Sequence, residues 1–138
     1  MFSLLLNSTL FSLYNDYTTT NSIATFYFRT GPNLKGCPSV QTFNDGKVYG
    51  PCGVKYTSES KYWVAIKNAK NYCGKSILVN YNSKNKNSTK LKVMDECPGC
   101  YKDNHIDTSL DALVELTGSK EKACAINTGI PQVSWTFI

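Results

Sequence analysis

The sequence predicts a mainly β domain, closed into a small barrel, crosslinked by disulfides and carrying one short helix. Three observations point there. Tyr, Thr, Asn and Ser are abundant, a composition that favours strands and polar loops over a helical bundle. The apolar segments are short and strand-like, with a single helix signal before the last of them, an order that suits a closed barrel. Six cysteines in 138 residues form an even set, as expected of a disulfide framework made in an oxidising compartment.

In chain order, the apolar stretch at residues 1–13 resembles a short secretory segment, although no basic residue follows Met1 and no small-residue cleavage site is evident. Residues 1–22 are therefore expected to be a signal or a disordered leader, and residues 23–138 the single domain. Ile23-Ala-Thr-Phe-Tyr-Phe28 reads as the first strand. Between residues 30 and 60 the glycines and prolines are dense, so a long loop with little regular structure is expected. Tyr62-Trp-Val-Ala-Ile66 is the second strand and Lys75-Ser-Ile-Leu-Val-Asn-Tyr81 the third.

In Lys90-Leu-Lys-Val-Met-Asp95, alternation puts Leu91, Val93 and Asp95 on one face, so Asp95 is expected to continue the apolar face. A carboxylate there needs hydrogen bonds or a function. Ser109 is placed to cap a helix over residues 110–116, with Leu110, Leu113, Val114 and Leu116 covering one end of the sheet and Gly118 stopping it. Asp107 shares a strand face with His105 and stands just before that helix, where it could handle a proton or cap the N-terminus. Val133-Ser-Trp-Thr-Phe-Ile138 is the last strand, with Trp135 in the core.

Charge and cysteine patterns narrow the chemistry. Fourteen of the fifteen basic residues are Lys and the only Arg is Arg29; with no basic block, the net charge of +5 reads as a solvated exterior and not as a nucleic-acid surface. No later apolar run is long enough to span a bilayer. Cys97-x2-Cys100-x4-His105 begins like a zinc knuckle, but Leu110 occupies the place of the fourth ligand, so no metal and no cofactor are expected. The same Cys100 and His105 are the only candidates for thiolate chemistry, and an even cysteine count favours disulfides over it. Six cysteines allow about fifteen pairings, among which the residues alone do not choose. Asn87-Ser-Thr89 is a glycosylation sequon.

Taken in order, Ala24-Thr-Phe-Tyr27, Cys52-Gly53, Tyr62-Trp-Val-Ala-Ile66, Cys73-Gly-Lys75, Val93-Met-Asp-Glu-Cys-Pro-Gly-Cys100, His105-Ile-Asp-Thr-Ser109 and Val133-Ser-Trp135 resemble the six-stranded double-psi β-barrel of expansin-related proteins. The likeness is greatest to the single-domain secreted members, the loosenins and other rare lipoprotein A-like or barwin-like proteins. It implies a shallow groove for extended cell-wall polysaccharide such as cellulose, chitin or a peptidoglycan-like glycan, on a secreted monomer. Asp107 falls on the family's essential acid, and Thr25 and Asp95 on the other polar groove positions. Tyr27, Tyr101 and Trp63 are the aromatics expected to stack on sugar rings, with His105 as a hydrogen-bonding neighbour.

By the same matching, Arg29 stands where the related inverting cellulases, glycoside hydrolase family 45, carry a catalytic base. Inverting hydrolysis needs an acid and a base, so the resemblance implies loosening without hydrolysis. The competing expectations are a polysaccharide-cleaving hydrolase or lytic transglycosylase, and a barwin-like or protease-inhibitor module that binds protein.

Overall fold

The computed structural model describes residues 18–82, 87–100, 104–125 and 130–138. Tyr101 and the apolar stretch at residues 1–13 lie outside the described residues. The strands are β1 (Thr18–Arg29), β2 (Gln41–Thr42), β3 (Asp45–Tyr49), β4 (Lys55–Thr57), β5 (Trp63–Ile66), β6 (Ser76–Tyr81), β7 (Ser88–Glu96), β8 (Ile106–Ser109) and β9 (Ile130–Phe137). Six of them close in the order β1-β8-β5-β7-β6-β9, with β9 returning to β1. The β1–β8 and β5–β7 pairs are parallel and the other barrel pairs antiparallel. The expected six-stranded double-psi β-barrel is therefore present, crosslinked by Cys37–Cys124, Cys52–Cys73 and Cys97–Cys100.

Strand alternation fills the interior. Ala24 and Phe26, Val64 and Ile66, Ile77 and Val79, Leu91 and Val93, Ile106, Val133 and Trp135 form one buried cluster. The helix α1 (Leu110–Thr117) adds Leu110, Leu113 and Leu116 to that cluster. Each such side chain taken out of water contributes about 1.5–3 kcal/mol against the entropy of ordering the chain. Helix α1 starts where Ser109 Oγ accepts the Ala112 amide at 2.9 Å, and it stops at Gly118, whose φ of +67° suits glycine. Trp135 is in the core as expected, and its indole N–H donates to the Asn104 carbonyl at 3.0 Å.

Several elements differ from expectation. Strand β1 begins at Thr18, inside the segment expected to be a leader, because Thr18, Thr19 and Ser22 pair with Thr136, Trp135 and Val133 of β9. The region 30–60 is not a bare loop. It holds β2, a β3–β4 hairpin, and a 3₁₀ turn (Ser58–Tyr62) whose start is fixed by a capping box between Thr57 and Ser60. Among the described residues there are two α-helices where one was expected: α2 (Lys120–Cys124) is capped by Ser119 and tied to the 30–60 region through Cys37–Cys124.

The hairpin rests on a second, smaller apolar cluster outside the barrel. A β-bulge separates Phe26 from Phe28 in the pairing with β8, which brings Tyr27 and Phe28 together. Phe28 stacks on Phe43 at 5.5 Å, and Tyr56 meets Phe28, Phe43 and Trp63 at 5.0, 5.1 and 4.8 Å. Phe28 and Tyr56 are both fully buried. This aromatic cluster pins the hairpin over one side of the barrel wall.

Candidate functional site

The site is set by strand register. Thr25 pairs with Asp107, Asp107 with Ala65, and Ala65 with Asp95, so these four residues form a row across β1, β8, β5 and β7. Paired residues point to one side of a sheet. Their chain neighbours Ala24, Val64, Ile66 and Ile106 face the core, so the row faces outward. Ala65 lies between the two acids with the smallest side chain of the row, and it forms the floor.

Asp95 therefore does not continue the apolar face, contrary to the alternation argument. The β5–β7 register shifts between Val64–Val93 and Ala65–Asp95, so Met94 is the extra residue of a bulge and is itself buried. That single residue turns Asp95 to the outside. There it accepts hydrogen bonds from Tyr27 Oη at 3.1 Å, from Tyr56 Oη, and from the Glu96 amide at 2.8 Å. The two phenols also contact each other. Burial first, then the neighbouring phenol and the Asp95 carboxyl, push Tyr27 far above the usual tyrosine range; burial and Asp95 do the same for Tyr56. Both stay protonated donors. Gly50 closes over the same carboxyl, since a Cβ there would sit 2.8 Å from the Met94 carbonyl oxygen and 3.4 Å from Asp95 Cγ.

Asp107 is placed differently. The Thr25 hydroxyl donates to its Oδ1 at 2.9 Å, and His105 Nε2 lies 2.9 Å from the same hydroxyl. A hydroxyl has one proton to give, so with Thr25 donating to Asp107 the Nε2–H of His105 donates to Thr25. Burial holds the His105 imidazole below its ordinary range. Burial pushes Asp107 up from 3.8 to about 6, opposed by the Thr25 hydrogen bond and assisted by the Asp95 charge. Asp107 is half-buried and lines a cavity of about 260 Å³ together with Tyr27, Ala65, His105 and the Cys97-Pro-Gly turn. The Cys97–Cys100 disulfide shapes that turn, and with both sulfurs bonded neither offers a thiolate to a metal or a substrate.

The structure thus brings Tyr27, His105 and Asp107 to one cavity, with Thr25 hydrogen-bonded to Asp107 and His105 and Asp95 held by Tyr27 as its anchor. The Cα atoms of Asp95 and Asp107 are two strand spacings apart, about 9.5 Å. Trp63 is not in this group. Its ring packs on Tyr56 and lines a separate cavity of about 300 Å³ with Glu59, Tyr62, Lys90 and Lys92. Arg29 is committed to structure, donating to the Val40 and Gly31 carbonyls at 3.2 and 2.6 Å. Sequence reasoning missed Tyr56 and Ala65. A lone Tyr between Lys55 and Thr57 carries no periodic signal; Ala65, a small outward residue between buried Val64 and Ile66, was the more detectable of the two.

One consequence is a pH-dependent stability. Asp107 has a higher pKa folded than unfolded, so its contribution is full below about 4 and is lost as pH rises through about 6, a penalty on the order of 2 kcal/mol after allowing for partial exposure. His105 works in the other direction, lowering stability as pH falls below its unfolded value. Urea titrations of wild type and Asp107→Asn between pH 4 and 7 isolate the first effect, because His105 is common to both proteins. The wild type is expected to lose stability relative to the variant as pH rises.

The chain matches no protein-family model, and a search of curated proteins finds no match. Among the described residues no helix is long and apolar enough to cross a membrane. Three disulfides fit an oxidising environment.

Proposed function

We propose that this protein is exported, binds extended cell-wall polysaccharide in the Asp107 cleft, and loosens the polymer without cutting it. The observation that carries the reading is a half-buried carboxyl, Asp107, held by Thr25 in a cavity on the outer face of a rigid, crosslinked barrel. A carboxyl poised near pH 6 both donates and accepts hydrogen bonds, which suits the hydroxyl-covered edge of a glycan. Such bonds replace those between neighbouring chains, and Tyr27 at the cavity wall offers an apolar ring face. The resemblance to expansin-like and loosenin-like barrels supports the same ligand class.

A hydrolytic reading is favoured by one observation, the half-burial of Asp107 at the cavity wall, which raises its pKa in the direction that suits a general acid. Against it, Asp95 is occupied by two phenols and an amide, and Arg29 is held by loop carbonyls. Inverting hydrolysis needs a base free to activate water. Incubation with swollen cellulose, chitin and peptidoglycan, followed by reducing-end assay, separates the readings. Softening or swelling of the substrate with no reducing ends above background is the expected result. Steady release that disappears in Asp107→Asn would instead establish a lytic enzyme.

A further inference from the structure

Tyr49 is the only aromatic side chain left mostly exposed among the described residues, at 61%. It ends β3, on the hairpin that buries Tyr56 completely, so the hairpin divides its two tyrosines between anchoring and exposure. The hairpin is also tied down at three points. Cys52 at its tip is bonded to Cys73, Thr57 at its end caps the next turn, and Gly50 is seated against the Met94 carbonyl. An exposed aromatic on so fixed an element has no packing duty, and such surfaces mark binding sites.

Its position indicates the ligand. Gly50, the next residue, lies close to Asp95, since a Cβ there would sit 3.4 Å from Asp95 Cγ, and Asp95 is the far end of the outward row that begins at Thr25 and Asp107. Tyr49 therefore stands next to the Asp95 end of the row, and that end lies two strand spacings, about 10 Å, from Asp107. That is further than one sugar ring reaches. Lys55, its cross-strand partner, holds its ammonium 5.3 Å from the ring centroid. One face of the ring is thus left for a ligand, with a donor for ring hydroxyls beside it. Val54, 45% exposed, extends the apolar surface.

We propose that Tyr49 is an accessory glycan platform on the rim of the cleft, taking one sugar ring of a long unbranched chain whose other rings lie over Asp107. This rests on the glycan-binding reading above and adds that the site recognises polymer length. The test is calorimetric titration of wild type, Tyr49→Ala, Tyr49→Phe and Asp107→Asn with cellotriose and cellohexaose, and with the corresponding chitin oligosaccharides. Wild type is expected to bind the six-ring ligand more tightly than the three-ring one. Tyr49→Ala removes that advantage, about threefold to tenfold, and leaves the three-ring affinity unchanged; Tyr49→Phe retains it. Asp107→Asn weakens both ligands. Equal affinities of Tyr49→Ala and wild type for the six-ring ligand would overturn the platform while leaving the cleft intact. Wild type binding none of the oligosaccharides would overturn the underlying reading and the platform with it.

Discussion

Replacing Tyr56 by Ala is expected to cost about 4 kcal/mol of stability, a large share of what a domain of this size has. The ring is fully buried against Phe28, Phe43 and Trp63, so its removal leaves a cavity beneath the hairpin. Its hydroxyl donates to Asp95, so the same change removes one of the donors that hold that carboxyl. Tyr56→Phe separates the two effects, keeping the packing and losing only the donor, at about 1–2 kcal/mol. Urea unfolding of the pair measures both. A small loss in Tyr56→Ala, close to that in Tyr56→Phe, would mean that the hairpin is not anchored by this ring.

The second large effect is expected at Cys37–Cys124. It joins residues 87 apart in sequence, against 21 for Cys52–Cys73 and 3 for Cys97–Cys100. A longer closed loop restricts the unfolded chain more, so opening this link by Cys37→Ser with Cys124→Ser is expected to cost about 4 kcal/mol. Opening the four-residue Cys97–Cys100 ring is expected to cost least. Its consequence is local, since the turn it closes lines the Asp107 cavity. Denaturant midpoints of the three double variants give the order, and a reversed order would show that native-state packing, not loop closure, governs the crosslinks.

The sequence made the barrel strands legible because apolar and aromatic residues recur at strand spacing in 23–28, 62–66, 75–81 and 133–138, and each of these segments lies in or overlaps a strand. It also marked Ser109 and Gly118 as the ends of α1. What it hid were effects of single extra residues and of distant contacts. The bulge at Met94 reverses the face of Asp95, and no alternation rule contains it. The 30–60 region reads as loop because its strands are short and rich in turn residues; they are held by the aromatic cluster and by Cys52–Cys73, both long-range. Helix α2 is too short to show a periodic face. Within the site, Asp107 and His105 were legible as polar residues sharing a strand face, whereas Thr25 was marked only by the resemblance to expansin-related barrels. The anchoring partner Tyr56 and the separation of Trp63 from the cleft depend on how the hairpin folds over the barrel wall.

The most direct measurement of the central claim is a depletion isotherm on swollen cellulose and chitin for wild type, Asp107→Asn and Thr25→Val. The Asn variant keeps the shape of the side chain and loses its acid; the Val variant keeps the acid and loses the hydroxyl that orients it. If Asp107, oriented by Thr25, grips the glycan, wild type binds at least one polymer, Asp107→Asn loses about tenfold or more in affinity, and Thr25→Val falls between them. Three superimposable isotherms, or no retention of the wild type on any polymer, would contradict the account.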